Sequence, residues 1–239
     1  SALTSLVDTD AGFSIIEIPR SLLALTENII AASLEPLSSR PGQDFDALLI
    51  DVASGNKFDT VKPKAFRMFD AESVKRWTNH DFCRRFFAED ASLFISDEES
   101  LGYPNIYWRL VRAGSATDVG PVHADHWFWD IGNLSIPQGH RRVKIWMPVR
   151  QDPRHVGLSI GPGTHHMHFD YGRVFRDGRG KPVFERGPVE HLLVPAPVKV
   201  GQAVVFHDRL LHGGEVSPAQ PRLSMELTWV MRDACSVKG

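Results

Sequence analysis

The stretch Arg222-Leu223-Ser224-Met225-Glu226-Leu227-Thr228-Trp229-Val230 alternates between polar and apolar side chains along its length. Alternation with a period of two is typical of a β-strand, in which successive side chains point to opposite faces. One face carries Arg222, Ser224, Glu226 and Thr228, and the other carries Leu223, Met225, Leu227 and Trp229. The stretch therefore predicts a strand with one apolar, core-facing side and one polar side.

Similar segments, separated by clusters of Gly, Pro and Asp, fill the chain from residue 105 onward. They predict the strands Asn105–Arg112, Arg142–Val149, Val156–Ile160, His191–Val194, Gln202–Phe206 and Arg222–Met231. Many short strands with turn signals and few helices indicate a β-sandwich or a β-barrel over residues 105–231.

Residues 1–104 instead show helical patterns. Ser21 is a candidate N-cap for a helix with Leu22, Leu25, Ile29 and Ala32 on one face, and Pro36 limits its end. A second helix is predicted over Glu72–Trp77, and a third starts near Asn79, with Phe82 and Phe86 four residues apart. Because no polar linker divides the two parts, we expect residues 1–239 to form one domain, with a helical layer packed on a β-core.

Composition excludes several classes of protein. The net charge of −2 and the pI near 6.6 argue against nucleic-acid binding, which usually needs a basic excess. No apolar run reaches the roughly 18 residues of a membrane span. Cys83 and Cys235 form neither a disulfide framework nor a CxxC metal motif, which favours a cytoplasmic protein. The sequence gives no indication of the oligomeric state.

A metal site is indicated by His123-Ala124-Asp125. If this segment is a strand, the side chains two residues apart share a face and can bind one ion. His212, which precedes Gly213-Gly214, is the best third ligand. Two histidines and one carboxylate suit Fe(II) and leave coordination positions open. Two alternatives stay open at this point: His126 can replace one ligand of the pair, and His207 can replace His212.

A carboxylate-binding site is indicated by Arg222 and Ser224, which begin ten residues after His212. A buried guanidinium needs a partner, and a carboxylate accepts two parallel hydrogen bonds from arginine. Ser224 can donate a third. The alternatives are an internal ion pair with Glu226 or a polar face that points outward.

The ordered set of HxD, Pro162-Gly163-Thr164-His165, His212-Gly213-Gly214 and Arg222-x-Ser224 resembles the Fe(II)- and 2-oxoglutarate-dependent oxygenases, in particular the phytanoyl-CoA dioxygenase-like branch. The resemblance covers roughly residues 105–231. It implies a mainly β fold, a double-stranded β-helix of the jelly-roll, cupin-like type, with the N-terminal helices packed on one sheet. It also implies Fe(II) and O₂ as cofactors and 2-oxoglutarate as co-substrate, with the far carboxylate of 2-oxoglutarate bound by Arg222 and Ser224.

Further site residues are expected on neighbouring strands, although the sequence does not say which face of each strand points inward. Tyr107, Lys144 and Trp146 are candidates for contact with the co-substrate, and Arg109 is a candidate for the co-substrate or the substrate. Trp127 is expected to line the substrate pocket, because on a strand it shares the face of His123 and Asp125.

The segment 168–190 is rich in arginine and has two interpretations. It is either a plain surface hairpin with Asp177-Gly178 at its turn, or a mobile flap that uses Arg173 to contact an anionic substrate.

The resemblance also bears on the outcome of the reaction. In a related subclass that halogenates its substrates, a small residue replaces the metal-binding carboxylate. Asp125 therefore favours hydroxylation or a related oxidation over halogenation.

The predicted reaction couples oxidative decarboxylation of 2-oxoglutarate, which yields succinate and CO₂, to oxidation of a small organic substrate. Two other classes stay open. A cupin-like metal enzyme that does not use 2-oxoglutarate leaves Arg222 and Ser224 unexplained. The second class is a non-catalytic β-sandwich that binds sugars or proteins. It would give no reason for the ordered His and Asp residues, which would then be a coincidence.

Overall fold

The computed structural model describes residues 2–132, 136–176, 179–184 and 189–233. Its α-helices are α1 (Ala2–Val7), α2 (Arg20–Leu34), α3 (Phe45–Ser54), α4 (Ala71–Thr78), α5 (Asp81–Glu89) and α6 (Asp125–Gly132). Its strands are β1 (Phe13–Glu17), β2 (Phe94–Ile95), β3 (Ile106–Val111), β4 (His140–Arg150), β5 (Leu158–Ile160), β6 (Tyr171–Arg176), β7 (Arg179–Phe184), β8 (Val194–Pro195), β9 (Gln202–His207), β10 (His212–Gly214) and β11 (Arg222–Arg232).

The larger sheet has six antiparallel strands, and β11, which contains the alternating stretch 222–230, lies between β4 and the edge strands β2 and β3. The strand order is β1, β9, β4, β11 and β2, and β3 also pairs with β11. The first half of β11 pairs with β3 and its last residues pair with β2, so these two strands share one edge of β11. β4 and β11 are each 11 residues long and pair along almost their whole length.

A smaller sheet, in the order β10, β5 and β8, faces the larger one. Between the two sheets lies an apolar cluster that includes Trp146, Ile160, Val204 and Phe206. Two facing antiparallel sheets with interleaved connections form a jelly roll. β6 and β7 form a separate hairpin.

The other face of the larger sheet packs against the N-terminal helices. Its core includes Met147, Leu227 and Trp229 from the sheet and Leu22 and Trp77 from the helices. β4 and β11 thus bury the odd-numbered positions of these segments beneath the helices. Their even-numbered positions face the smaller sheet, because successive side chains alternate across a strand. The polar face of β11 is therefore the inner one.

Local signals explain where most of the N-terminal helices begin. Asp44 accepts a hydrogen bond from Ala47 N at 2.8 Å at the start of α3, and Asp70 accepts one from Ser73 N at 2.7 Å at the start of α4. The prediction that Ser21 caps α2 is wrong. Pro19 holds the N-cap position and offers no side-chain hydrogen bond to the helix, and Ser21 lies inside the helix with its hydroxyl 3.0 Å from His80 Nε2.

The N-terminal part also differs from the prediction in its strands. β1 and β2 come from residues 1–104 and extend the larger sheet at two places. The predicted strand His191–Val194 is a 3₁₀ turn over Glu190–Leu192 followed by the two residues of β8. Cys83 is buried, and Cys235 lies outside the described residues. Within the described part of the chain, every helix is too short or too polar to cross a lipid bilayer.

Candidate metal centre and co-substrate site

His123, Asp125 and His212 converge on one point beside β10. One ligand atom from each of the three residues lies within 4.8 Å of the others. His123 Nε2 is 3.6 Å from Asp125 Oδ1, and His212 Nε2 is 3.8 Å from Asp125 Oδ2. Two imidazole nitrogens and a carboxylate arranged around one point form a donor set suited to a divalent transition metal such as Fe(II).

The backbone brings the two histidines together although 88 residues separate them in the chain. His123 N donates to His212 O at 3.0 Å, and His212 N donates to His123 O at 2.9 Å. This pair forms an isolated β-bridge beside β10. The expectation that His123 and Asp125 share a strand is wrong, because Asp125 begins α6. Their side chains meet where an extended residue gives way to the first turn of a helix.

Both imidazole rings are oriented by backbone carbonyl groups. His123 Nδ1 lies 2.8 Å from Pro121 O, and His212 Nδ1 lies 3.0 Å from Leu210 O. Because a carbonyl oxygen can only accept, each Nδ1 atom carries a proton, and in the neutral ring the lone pair is then on Nε2. Hydrogen bonds of this kind fix the tautomer and the ring orientation of metal-binding histidines.

The charges of the site are set for metal binding at neutral pH. Burial lowers the pKa of His212 to about 4, which keeps its imidazole neutral at pH 7. Burial works against ionisation of Asp125, but Lys144 and His212 outweigh it and lower the pKa of Asp125 below its ordinary value. The Asp125 Oδ2 atom is buried and has no hydrogen-bond partner. A bound cation would satisfy this oxygen, so the three side chains fit a metal ion.

The alternative ligands do not join this cluster. His126 N donates to Asp208 O at 3.1 Å, and the His126 ring packs against Trp127 and Tyr171. His207 ends β9, forms an ion pair with Asp208 at 2.9 Å, and lies beside the ring of His165. The geometry therefore favours His212 over His207 and leaves His126 outside the site.

Arg222 and Ser224 lie together on the inner face of β11. Arg222 Nη1 donates to Ser224 Oγ at 3.0 Å, and Arg222 Nε is buried without a partner. Among the described residues, no carboxylate forms an ion pair with Arg222, so the alternative pairing with Glu226 does not occur. Burial lowers the pKa of Arg222 to about 10, which leaves the guanidinium charged at neutral pH. Such a group requires an anionic partner, and a carboxylate ligand supplies one.

The surroundings of Arg222 leave room for its long side chain. Its guanidinium lies 5.6 Å from the centre of the Trp146 ring. A Cβ atom at Gly157 would collide with Arg222 Cδ, and a Cβ atom at Gly214 would lie 3.4 Å from Arg222 Nη2. Gly157 is therefore the glycine that makes room for the arginine, whereas a Cβ atom at Gly214 would be in ordinary contact with it.

The structure settles which face of β3 and β4 points inward. Lys144 lies opposite Thr228 and Trp146 lies opposite Glu226, so both share the inner face of β11. Arg109 lies opposite Ser224 on the same face. Tyr107 is also inward, but its hydroxyl donates to Asn105 Oδ1 at 3.3 Å and its ring lies under Lys64. Lys144 Nζ lies 4.0 Å from Asp125 Oδ2, which places it beside the metal cluster.

Trp127 has other surroundings than the sequence predicted. In a helix, residues two apart are rotated by about 200°, so Trp127 points away from the side of α6 that carries Asp125. Its ring stacks on Tyr171 at 4.9 Å and meets the edge of Phe184 at 4.8 Å, which anchors the β6–β7 hairpin. Arg173 is exposed on that hairpin. The side chains of residues 176, 177, 179, 181, 185 and 186 lie outside the described part of the chain.

The sequence did not predict the contacts that two further residues make at the site. Thr164, inside the Pro-Gly-Thr-His turn, is buried, and its Oγ1 accepts from Leu211 N at 3.0 Å and donates to Gly161 O at 2.6 Å. The turn thus holds the residue that precedes His212. Glu226 lies on the inner face, where burial opposes its ionisation but Lys144 and Arg109 lower its pKa. The period-two pattern placed Glu226 on this face but could not name its partners.

Comparison with known proteins gives the following matches. A family model described as phytanoyl-CoA dioxygenase matches residues 19–222, which is most of the chain. No curated protein matches the sequence.

Several solved structures share the fold. EvdO2 from Micromonospora carbonacea var. aurantiaca, in complex with 2-oxoglutarate, has 18% identity and a TM-score of 0.63, with 93% of this chain and 87% of that chain covered. EctD from S. alaskensis, with 2-oxoglutarate and 5-hydroxyectoine, has 17% identity and a TM-score of 0.55, with 97% and 76% covered. The non-heme monooxygenase ThoJ, in its apo form, has 14% identity and a TM-score of 0.57, with 97% and 80% covered.

Proposed function

The chain belongs to the phytanoyl-CoA dioxygenase family, and on that premise we propose that it is an Fe(II)- and 2-oxoglutarate-dependent oxygenase that oxidises a small organic molecule. The observation that carries the proposal is the combination of two incomplete sites on one inner surface. One is the cluster of His123, Asp125 and His212, with its unpartnered Asp125 Oδ2. The other is Arg222, a buried cation that lacks a carboxylate partner among the described residues.

In this proposal the three clustered side chains hold the iron, and Arg222 with Ser224 holds the far carboxylate of 2-oxoglutarate. Bound iron and 2-oxoglutarate supply the oxidising chemistry, in which O₂ is consumed and 2-oxoglutarate is converted to succinate and CO₂. The residues of the chain orient the reactants and exclude water from them. Asp125 supplies a carboxylate ligand, which supports hydroxylation or a related oxidation as the outcome.

The fixed tautomers of His123 and His212 support this role. With each Nδ1 proton held by a backbone carbonyl group, the two Nε2 atoms need no reorganisation before they bind a metal. Trp146 forms an apolar wall beside Arg222 and shields the guanidinium from water. An arginine–carboxylate pair is stronger in such surroundings than it is in bulk solvent.

The test combines a binding measurement with a product measurement. Under anaerobic conditions the wild-type protein should bind about one equivalent of Fe(II), and His212→Ala should abolish that binding, because two donors then remain. With iron, ascorbate and O₂ present, 2-oxoglutarate should be converted to succinate. Iron binding without any succinate would contradict the proposal in favour of a metal enzyme that does not use 2-oxoglutarate.

The co-substrate assignment has its own pair of variants. Arg222→Ala should weaken 2-oxoglutarate binding by about 2–4 kcal/mol, the range for removal of one partner of a buried charged pair. Ser224→Ala should weaken it by about 0.5–1.5 kcal/mol, as expected for one hydrogen bond. Both values can be measured by titration of 2-oxoglutarate into the metal-loaded, O₂-free protein. Unchanged affinity in Arg222→Ala would rule out this position as the carboxylate site.

A further inference from the structure

A groove of about 540 Å³ extends along the loop 117–121, which precedes His123 in the chain. Its walls come from β3, from residues 58–67, from the loop 117–121, and from the β6–β7 hairpin. Apolar side chains make up much of the lining, among them Phe58, Leu110 and Val174. Pro121 lies in the wall, and its carbonyl oxygen is 2.8 Å from His123 Nδ1. The groove therefore reaches the loop that carries the first metal ligand.

Arg67 and Arg109 both line this groove. Arg67 Nε donates to Lys62 O at 3.1 Å, and Arg109 Nη1 lies 3.4 Å from Asp118 O. In the described ranges neither guanidinium forms an ion pair with a carboxylate. Asp118, which also lines the groove, is instead held by two hydrogen bonds of 2.8 Å from Arg112. Among the described residues, the hydrogen bonds of the two guanidinium groups go to backbone carbonyl oxygens.

Placing these cations next to each other is unfavourable in the absence of a ligand. Burial and the nearby charge of Arg109 lower the pKa of Arg67 to about 10, so the Arg67 guanidinium stays charged at neutral pH. Glu226 interacts with Arg67 and Arg109, but it also interacts with Lys144. A partly buried cation without a counter-ion is costly, so the groove is set up for an anion.

Both arginines belong to a charged inner surface. Four cations, namely Arg67, Arg109, Lys144 and Arg222, interact there with the carboxylates of Asp125, Glu226, Glu98 and Glu215. Of these four cations, Arg67 and Arg109 line the groove.

We propose that Arg67 and Arg109 bind a carboxylate or phosphate group of the prime substrate, and that the apolar walls of the groove hold its carbon skeleton. The description of this ligand as the substrate rests on the proposed oxygenase function. The volume of the groove falls within the usual range for small-molecule sites. Arginine is well suited to the role because its planar donors match the oxygens of both anions.

The test uses inorganic phosphate and acetate as probes of the Mn(II)- and 2-oxoglutarate-loaded protein under argon. The thermal midpoint is measured against probe concentration, with sodium chloride at equal ionic strength as the reference. At least one probe should raise the midpoint saturably, and the effective probe identifies the preferred anion. Arg67→Gln and Arg109→Gln should each raise the half-maximal concentration at least tenfold. Arg76→Gln, an exposed arginine on α4, should behave as the wild type.

The same variants are titrated with 2-oxoglutarate to separate this site from the co-substrate site. Arg67→Gln should keep the 2-oxoglutarate response, which also shows that the variant is folded, and Arg222→Gln should lose it. No saturable response to either probe, or equal responses in the wild type and Arg67→Gln, would overturn the anion site. Loss of the 2-oxoglutarate response in Arg109→Gln would overturn the assignment of Arg109 to the substrate. A wild-type protein that responds to the probes but not to 2-oxoglutarate would reject the oxygenase function while supporting the anion site.

Discussion

Lys144 and Asp125 are buried opposite charges whose nearest atoms lie 4.0 Å apart. Burial would lower the pKa of Lys144, but Asp125 and Glu226 outweigh it and raise that pKa above its ordinary value. The ammonium group therefore stays protonated beside the metal cluster. In the absence of a metal, Lys144 is the nearest fixed positive charge that can compensate Asp125 Oδ2, which has no hydrogen-bond partner.

The first prediction at this scale is that Lys144→Met destabilises the metal-free protein more than the Mn(II)-loaded protein. Removing one partner of a buried pair is expected to cost about 3 kcal/mol. A bound divalent ion supplies the missing positive charge to Asp125, so the loss should fall to about 1 kcal/mol when the metal is present. The measurement is urea denaturation of the variant and the wild type, with and without Mn(II).

Lys75→Met is the matched control, because Lys75 is exposed on α4 and its loss should change neither curve. If Lys144→Met lost the same stability with and without metal, its charge would have no role in balancing Asp125. A separate titration with 2-oxoglutarate asks whether Lys144 also contacts the co-substrate, the role that the sequence suggested for it.

Single residues also show where sequence reasoning succeeded and where it failed. The clustering of His123, Asp125 and His212 could be predicted because their chemistry is unusual for a core and their order matched a known pattern, while the roles of these residues and of Arg222 as ligands stay predictions. The surroundings of Trp127 were predicted wrongly because its placement depended on the local backbone. A strand puts residues 125 and 127 on one face, whereas the observed helix puts them on nearly opposite sides.

Among the secondary-structure elements, α6 links the metal cluster to the β6–β7 hairpin. Asp125 lies at its first position, and Trp127 fixes the hairpin through Tyr171 and Phe184. Tyr171 also donates from its hydroxyl to Asp130 Oδ2 at 2.8 Å. The structure therefore contains the hairpin that the segment 168–190 suggested. The flap interpretation requires the hairpin to open more easily than the two sheets unfold.

We predict that Phe184→Ala loosens the hairpin without unfolding the two sheets. The substitution removes the edge contact with Trp127 and exposes apolar surface, at a cost of about 1–3 kcal/mol for a partly buried ring. Hydrogen exchange measured by mass spectrometry should show at least about tenfold faster exchange over Tyr171–Arg176, because 1.4 kcal/mol of local stability is a factor of ten. Exchange in β4 and β11 should not change.

Met167→Ala serves as the control for this experiment, since Met167 is 52% exposed just before the hairpin. Equally accelerated exchange in β11 would mean that the hairpin is part of the same cooperative unit as the larger sheet. No acceleration in either region would show that Phe184 does not hold the hairpin in place.

Strands with a clear alternation of polar and apolar residues were predicted more accurately than strands without one. β3, β4, β9 and β11 were predicted nearly to their ends, because buried strands with clear alternation carry a strong signal. β1 was missed, since Ile15 and Ile16 interrupt its alternation and its role depends on pairing with the distant β9. β10 has three residues and is defined by its partner β5, so no local pattern could reveal it.

At the scale of the whole molecule, the prediction of a jelly roll with N-terminal helices on one sheet is confirmed by the two facing sheets and by the solved structures that share the fold. The two proposed ligands would connect parts of this fold that are distant in sequence. The metal cluster draws on residues near α6 and β10, whereas Arg222 and Ser224 come from the larger sheet. Bound metal and 2-oxoglutarate would therefore tie the larger sheet to the loop and helix opposite it.

The corresponding prediction is that metal and co-substrate raise the thermal stability of the molecule in two separable steps. A ligand that binds only the folded state at 100 times its Kd adds about 2.7 kcal/mol, which for a chain of this size raises the Tm by about 5–10 °C. Mn(II) should give the first rise, and 2-oxoglutarate should add a second one when Mn(II) is present. His212→Ala should lose both rises, whereas Arg222→Ala should keep the first and lose the second. His168→Ala, a strongly exposed histidine outside the cluster, should keep both. If His212→Ala kept its response to Mn(II), the stabilising metal would bind elsewhere, because a site with one of its three donors removed cannot retain the same affinity.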